Sequence, residues 1–100
     1  MIYLDCSGVY FGSRLDEKHM FEWAMEIPGV LRWEHDTLVV RTNLSQASLR
    51  DLLALLSRYG IPMGQLAQFR TAKNETWFAA PHMVWQARVF GTPQSKGARQ

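Results

Sequence analysis

Apolar and polar positions alternate at the start of the chain. Ile2, Leu4 and Cys6 are separated by Tyr3, Asp5 and Ser7, the period of a short strand with one apolar face. Gly8 and Gly12 then loosen the chain, and Val9-Tyr10-Phe11 between them reads as a second short strand or an aromatic loop over the core. From Leu15 to Ile27 the period lengthens. Met20, Trp23, Ala24 and Ile27 recur at i, i+3, i+4 and i+7, and Phe21 and Met25 widen that stripe while Lys18, Glu22 and Glu26 face water. This predicts a helix with Ser13 or Asp16 as its N-cap, Asp16 and Glu17 near its positive end, and Pro28-Gly29 as its stop.

Val30 to Thr42 predicts a hairpin about a His35-Asp36 turn, with Trp33 opposite Leu38 and Leu31 opposite Val40 on the core face. The other face then pairs Arg32 with Val39 and Val30 with Arg41, half apolar and half cationic. A second helix is predicted over Ser45 to Tyr59. Ser45 is its N-cap, Leu44 and Leu49 are spaced for a hydrophobic staple, and Leu49, Leu52, Leu53 and Leu56 form the buried stripe. Gly60 suits a left-handed residue after the helix, Ile61 can return onto Leu56, and Pro62 blocks continuation. The Leu66/Gln68 and Ala67/Phe69 alternation permits a last strand from Gln65 to Arg70.

This order of strand, helix, hairpin, helix and strand resembles the ferredoxin-like βαββαβ plait over about Ile2 to Arg70. The resemblance implies an α+β fold, a four-stranded antiparallel sheet with two helices on one face, and nothing about activity. Beyond a polar turn at Thr71 to Asn74, Asn74 is expected to cap a short helix through Phe78, and Pro81 to open another that ends near Gly91. The expected organisation is one domain over 1–91 that includes this aromatic extension from about 74, followed by a flexible tail over 92–100.

With 100 residues and 47% hydrophobic content, the chain can bury a core without metal or cross-links. Its net charge of +2 is far from the dense positive field of a dedicated DNA-binding domain. Cys6 is the single cysteine, which excludes an intramolecular disulfide and fits a reducing compartment. Met1 to Asp5 lacks a basic stretch followed by a long apolar one, and no apolar run approaches the roughly 18 residues that span a bilayer. A cytoplasmic protein without a membrane partner is expected.

Candidate chemistry is sparse. His19, His35, His82, Cys6 and Asp5 show no metal-ligand spacing, and Asp16-x-x-His19 occurs once where di-iron bundles use it twice. No metal or cofactor is expected. Cys6 at a strand end beside a glycine loop is a place for a nucleophile if a histidine reaches it, but a lone cysteine on an apolar face reads as core. Gly8-x-x-x-Gly12-Ser13 lacks the Gly-Lys-Ser/Thr ending of a phosphate loop. Arg32 and Arg41 share a sheet face with Tyr3 and Asp5, yet the exposed aromatics of RNA-binding sheets are absent from the hairpin.

The aromatic surplus after Arg70 carries most of the functional signal. Trp77, Phe78, Met83, Trp85 and Phe90 are too apolar to leave in water, since full burial of each stabilises by roughly 2 kcal/mol or more. They complete the chain's own core or meet another chain as anchors. The leading expectation is therefore a non-enzymatic interaction or regulatory protein whose contact residues are Trp77, Phe78, Met83, Trp85, Phe90, Arg32 and Arg41, with another protein or a second copy as partner. The alternatives are a small-ligand domain or enzyme with a site near Cys6 and His82, and, ranked lowest, a weak nucleic-acid binder through Arg32 and Arg41.

Overall fold

The structure, a computed structural model, describes residues 1–9 and 11–91. The expected tail over 92–100 and the side chain of Tyr10 lie outside them. The chain divides into two compact units, Met1–Pro62 and Met63–Gln100.

The first unit contains β1 (Ile2–Asp5), α1 (Arg14–Glu26), β2 (Val30–Glu34), β3 (Thr37–Val40) and α2 (Gln46–Tyr59). The strands form an antiparallel sheet in the order β1-β3-β2. Leu4, Leu38 and Trp33 stand in one row across it, and Phe21 of α1 meets Trp33 edge to face at 4.5 Å between ring centroids. α1 therefore covers this row, and it buries Met20 and Ala24 along the expected stripe. Met25 does not widen the stripe; it is exposed, as is Leu15.

The turn and the pairs Trp33/Leu38 and Arg32/Val39 match the period-two pattern. Beyond them the register shifts. Val30, not Leu31, lies opposite Val40, which makes Leu31 the extra residue of a bulge, and the Arg41 N–H donates to the Gly29 carbonyl at 2.8 Å. The bulge moves Val30 to the helix side and removes it from the half-cationic face. Val39 on that face is fully buried.

Both helix starts follow local chemistry. Ser13 Oγ accepts from the Asp16 N–H at 3.2 Å, and Ser45 Oγ from the Ser48 N–H at 3.0 Å. The Ser45 hydroxyl also donates to Ser48 Oγ at 3.1 Å, which satisfies a buried serine. α2 ends as the sequence predicts: Gly60 is left-handed at φ 67°, and the Ile61 N–H donates to the Leu56 carbonyl at 3.0 Å, a Schellman closure.

The four-stranded ferredoxin-like plait is not formed. The sheet has three strands, five helices accompany it among the described residues, and the class is α+β. The segment expected as the fourth strand, Gln65–Arg70, falls, except for Arg70, in a 3-10 helix over Met63–Phe69 that opens the second unit. Met63, Leu66 and Phe69 are its buried residues. Their spacing of three is the repeat of a 3-10 helix, in which i and i+3 eclipse, and it outweighs the weak alternation of Leu66 and Phe69 with glutamines.

α3 (Glu75–Phe78) and α4 (Gln86–Phe90) complete the second unit, and α4 packs on the 3-10 helix. Asn74 does not cap α3 through its side chain. Its Nδ2 donates to the Phe69 carbonyl at 2.8 Å and its Oδ1 accepts from the Thr71 N–H at 2.8 Å, so the buried amide closes the turn before α3 instead. The helix expected from Pro81 begins only at Gln86.

Candidate functional site

Two places in the described residues bring functional side chains together, one in each unit. In the first unit the hairpin turn lies beside the end of β1. The Cys6 N–H donates to the Asp36 carbonyl at 2.9 Å, and Asp36 and Cys6 share the lining of a cavity of about 110 Å³. Its lining includes the buried Cys6 and Met20, the half-buried Phe11, Phe21 and Trp33, and the exposed Glu17 and Asp36. Trp33 Nε1 is buried without a hydrogen-bond partner among the described residues.

Cys6 is poorly suited to attack a substrate. It is 4% exposed, its thiol contacts the Leu4 carbonyl at 3.7 Å, and burial, reinforced by the Asp5 carboxylate, pushes its pKa up to about 11. Asp5 itself is held below the usual carboxylate range by hydrogen bonding to Ser7, whose N–H donates to Oδ1 at 2.9 Å. An activated cysteine needs the opposite environment, cationic and partly open. His82, the other residue of the expected catalytic pair, is exposed on the second unit and does not line this cavity. His19 and His35 are exposed too, and no group of three or more His, Cys, Asp or Glu among the described residues is placed to hold a metal.

The aromatic segment forms the second cluster. Phe78 is fully buried, with Phe90 at 5.0 Å and Trp77 at 5.7 Å between ring centroids, and Trp85 stands edge-on to Trp77 at 6.0 Å. Such pairs contribute about 0.5–1.5 kcal/mol each beyond area burial. Trp85 Nε1 donates to the Phe78 carbonyl at 2.7 Å, and Gln86 Nε2 to the Ala79 carbonyl at 3.2 Å, which hold α4 against the end of α3. Arg70 lies over the Phe90 ring at 5.7 Å and pairs with Glu75 at 3.4 Å. Four of the expected contact residues, Trp77, Phe78, Trp85 and Phe90, thus gather in one cluster. Phe78 is its sealed centre, while Trp77, Met83, Trp85 and Phe90 are half-buried and Val84 between two of them is 90% exposed.

Arg32 and Arg41 lie in the first unit. Arg32 is engaged by Glu34, with Nε and Nη2 each 2.7 Å from the same carboxylate oxygen. Arg41 is exposed. Arg58 lies over Tyr59 at 5.9 Å.

The sequence pointed to Cys6 with His82 as one candidate site, but not to Glu17, Phe21, Trp33 and Asp36 around Cys6. Phe21 and Trp33 read as core positions and Asp36 as a turn residue. No local spacing links them, because only the packing of α1 on the hairpin brings them together. No helix of the described residues is long and apolar enough to cross a membrane. No protein-family model, curated protein or solved structure matches the chain.

Proposed function

We propose that this chain is a non-enzymatic interaction module of the cytoplasm that self-associates through the aromatic cluster of its second unit. The observation that carries the proposal is Val84, 90% exposed and flanked in sequence by the half-buried Met83 and Trp85. Aromatics and methionine around a fixed centre are the composition of interface anchors, and Trp77 and Trp85 already have restricted geometry through their ring contact. An anchor that is ordered before binding loses less side-chain entropy on association. The single free cysteine supports a reducing compartment.

Light scattering at micromolar concentration, combined with an affinity pull-down, tests the reading. A dimer is expected, and Val84→Asp is expected to return it to a monomer by placing a charge in the apolar contact. A strictly monomeric chain that retrieves nothing contradicts the proposal.

A further inference from the structure

The two units differ in charge. Met63–Gln100 holds Arg70, Lys73, Arg88, Lys96 and Arg99, the last two outside the described residues, against Glu75 alone, a side-chain charge of +4. Because the whole chain carries +2, Met1–Pro62 carries −2. The cationic unit is also the one that bears the aromatic cluster, and the Arg70 guanidinium lies over the Phe90 ring at 5.7 Å. Glu75 stands 3.4 Å from Arg70 in a pair whose side chains are both about half exposed, so solvent screens much of its attraction. Lys73 and Arg88 are exposed.

We propose that self-association through this cluster is gated by multivalent phosphate anions. The inference rests on the self-association reading and adds its regulation. A contact between two aromatic clusters brings like-charged units together. At a separation of about 20 Å they repel within the ~30 Å Debye length of about 0.01 M salt, and far less within the ~8 Å length of about 0.15 M. Phosphate oxygens accept charge-assisted hydrogen bonds from guanidinium and ammonium groups, and one multivalent anion offsets the cations of both copies at once. A head-to-tail contact, with the cationic unit of one copy on the anionic unit of the next, has the opposite dependence, because salt screens attraction there. The sign of the salt effect therefore reports which surfaces meet.

The test is sedimentation equilibrium of the full chain at neutral pH in about 0.01 M and about 0.15 M NaCl, with inorganic tripolyphosphate as the anion probe. The dimer Kd is expected to be about tenfold tighter at the higher salt. Tripolyphosphate in the low-salt buffer is expected to tighten it by a similar factor, well beyond NaCl added to the same ionic strength. Lys73→Glu, an exposed substitution that halves the charge of the unit, is expected to tighten the low-salt dimer and to flatten its salt dependence. A dimer that salt leaves unchanged or weakens overturns the gating while self-association stands, and so does tripolyphosphate that acts no more strongly than matched NaCl. A monomer under every condition overturns the gating and the self-association reading together.

Discussion

Asn74 donates from Nδ2 to the Phe69 carbonyl at 2.8 Å, tying the end of the 3-10 helix to the residue that precedes α3. The same amide accepts from the Thr71 N–H, so one buried side chain serves two backbone groups. Replacing it leaves a carbonyl and an N–H in need of partners. Asn74→Ala is expected to destabilise the fold by about 1–3 kcal/mol, read as a lower urea midpoint. An unchanged midpoint would show that water or backbone adjustment replaces both bonds.

The caps of α2 offer a second measurement. Ser45→Ala is expected to cost about 1 kcal/mol by removing the acceptor for the Ser48 N–H, and Gly60→Ala a similar amount. At Gly60 a Cβ meets nothing within 4 Å, so the cost is conformational, from φ 67°, and not steric. Equal urea midpoints for either variant and the parent protein would contradict its assignment.

How far the sequence could be read depended on how local the deciding physics was. The boundaries of α2 follow from Ser45, Gly60 and Pro62, whose effects act within a turn, and they agree with the structure. The fourth strand failed because two weak periods competed in Gln65–Arg70. The three-residue spacing of Met63, Leu66 and Phe69 becomes decisive only when those side chains find a common core in the second unit. The bulge at Leu31 is equally a property of the assembled sheet. The aromatic cluster was legible as composition, since Trp77, Phe78, Trp85 and Phe90 are close in sequence. The cavity near Cys6 was only partly legible, because Glu17, Trp33 and Asp36 come from separate elements.

His35, at φ 56°, is the non-glycine residue with positive φ among the described residues, and it stands in the hairpin turn. The left-handed region costs an L-residue roughly 1–2 kcal/mol, part of which glycine gives back in unfolded-chain entropy. His35→Gly is therefore expected to raise stability by about 0.5 kcal/mol by thermal or urea unfolding. Asp36→Gly, where φ is not positive, is expected to lower it. The opposite ranking of the two variants would place the strained residue elsewhere.

The pH dependence of stability should carry the signature of Cys6. Its pKa is raised from an ordinary 9.0 to about 11 in the folded chain, so the folded state favours the neutral thiol. That contribution is fully present below about pH 9 and is lost as pH rises toward about 11. The difference in unfolding free energy between the parent protein and Cys6→Ala should accordingly shrink over this window, by on the order of 2–3 kcal/mol. Subtracting the variant removes titrations common to both proteins. A difference that stays flat from pH 8 to about 11 would mean that the thiol is not desolvated as its burial indicates.

The most direct test of self-association through the aromatic cluster is the concentration dependence of Tm for the parent protein and Val84→Asp. If two copies meet through Val84, Met83 and Trp85, the parent's Tm rises with protein concentration by mass action while that of the variant stays constant. A parent Tm that does not move across the micromolar to millimolar range, with a monomeric mass throughout, would contradict the account.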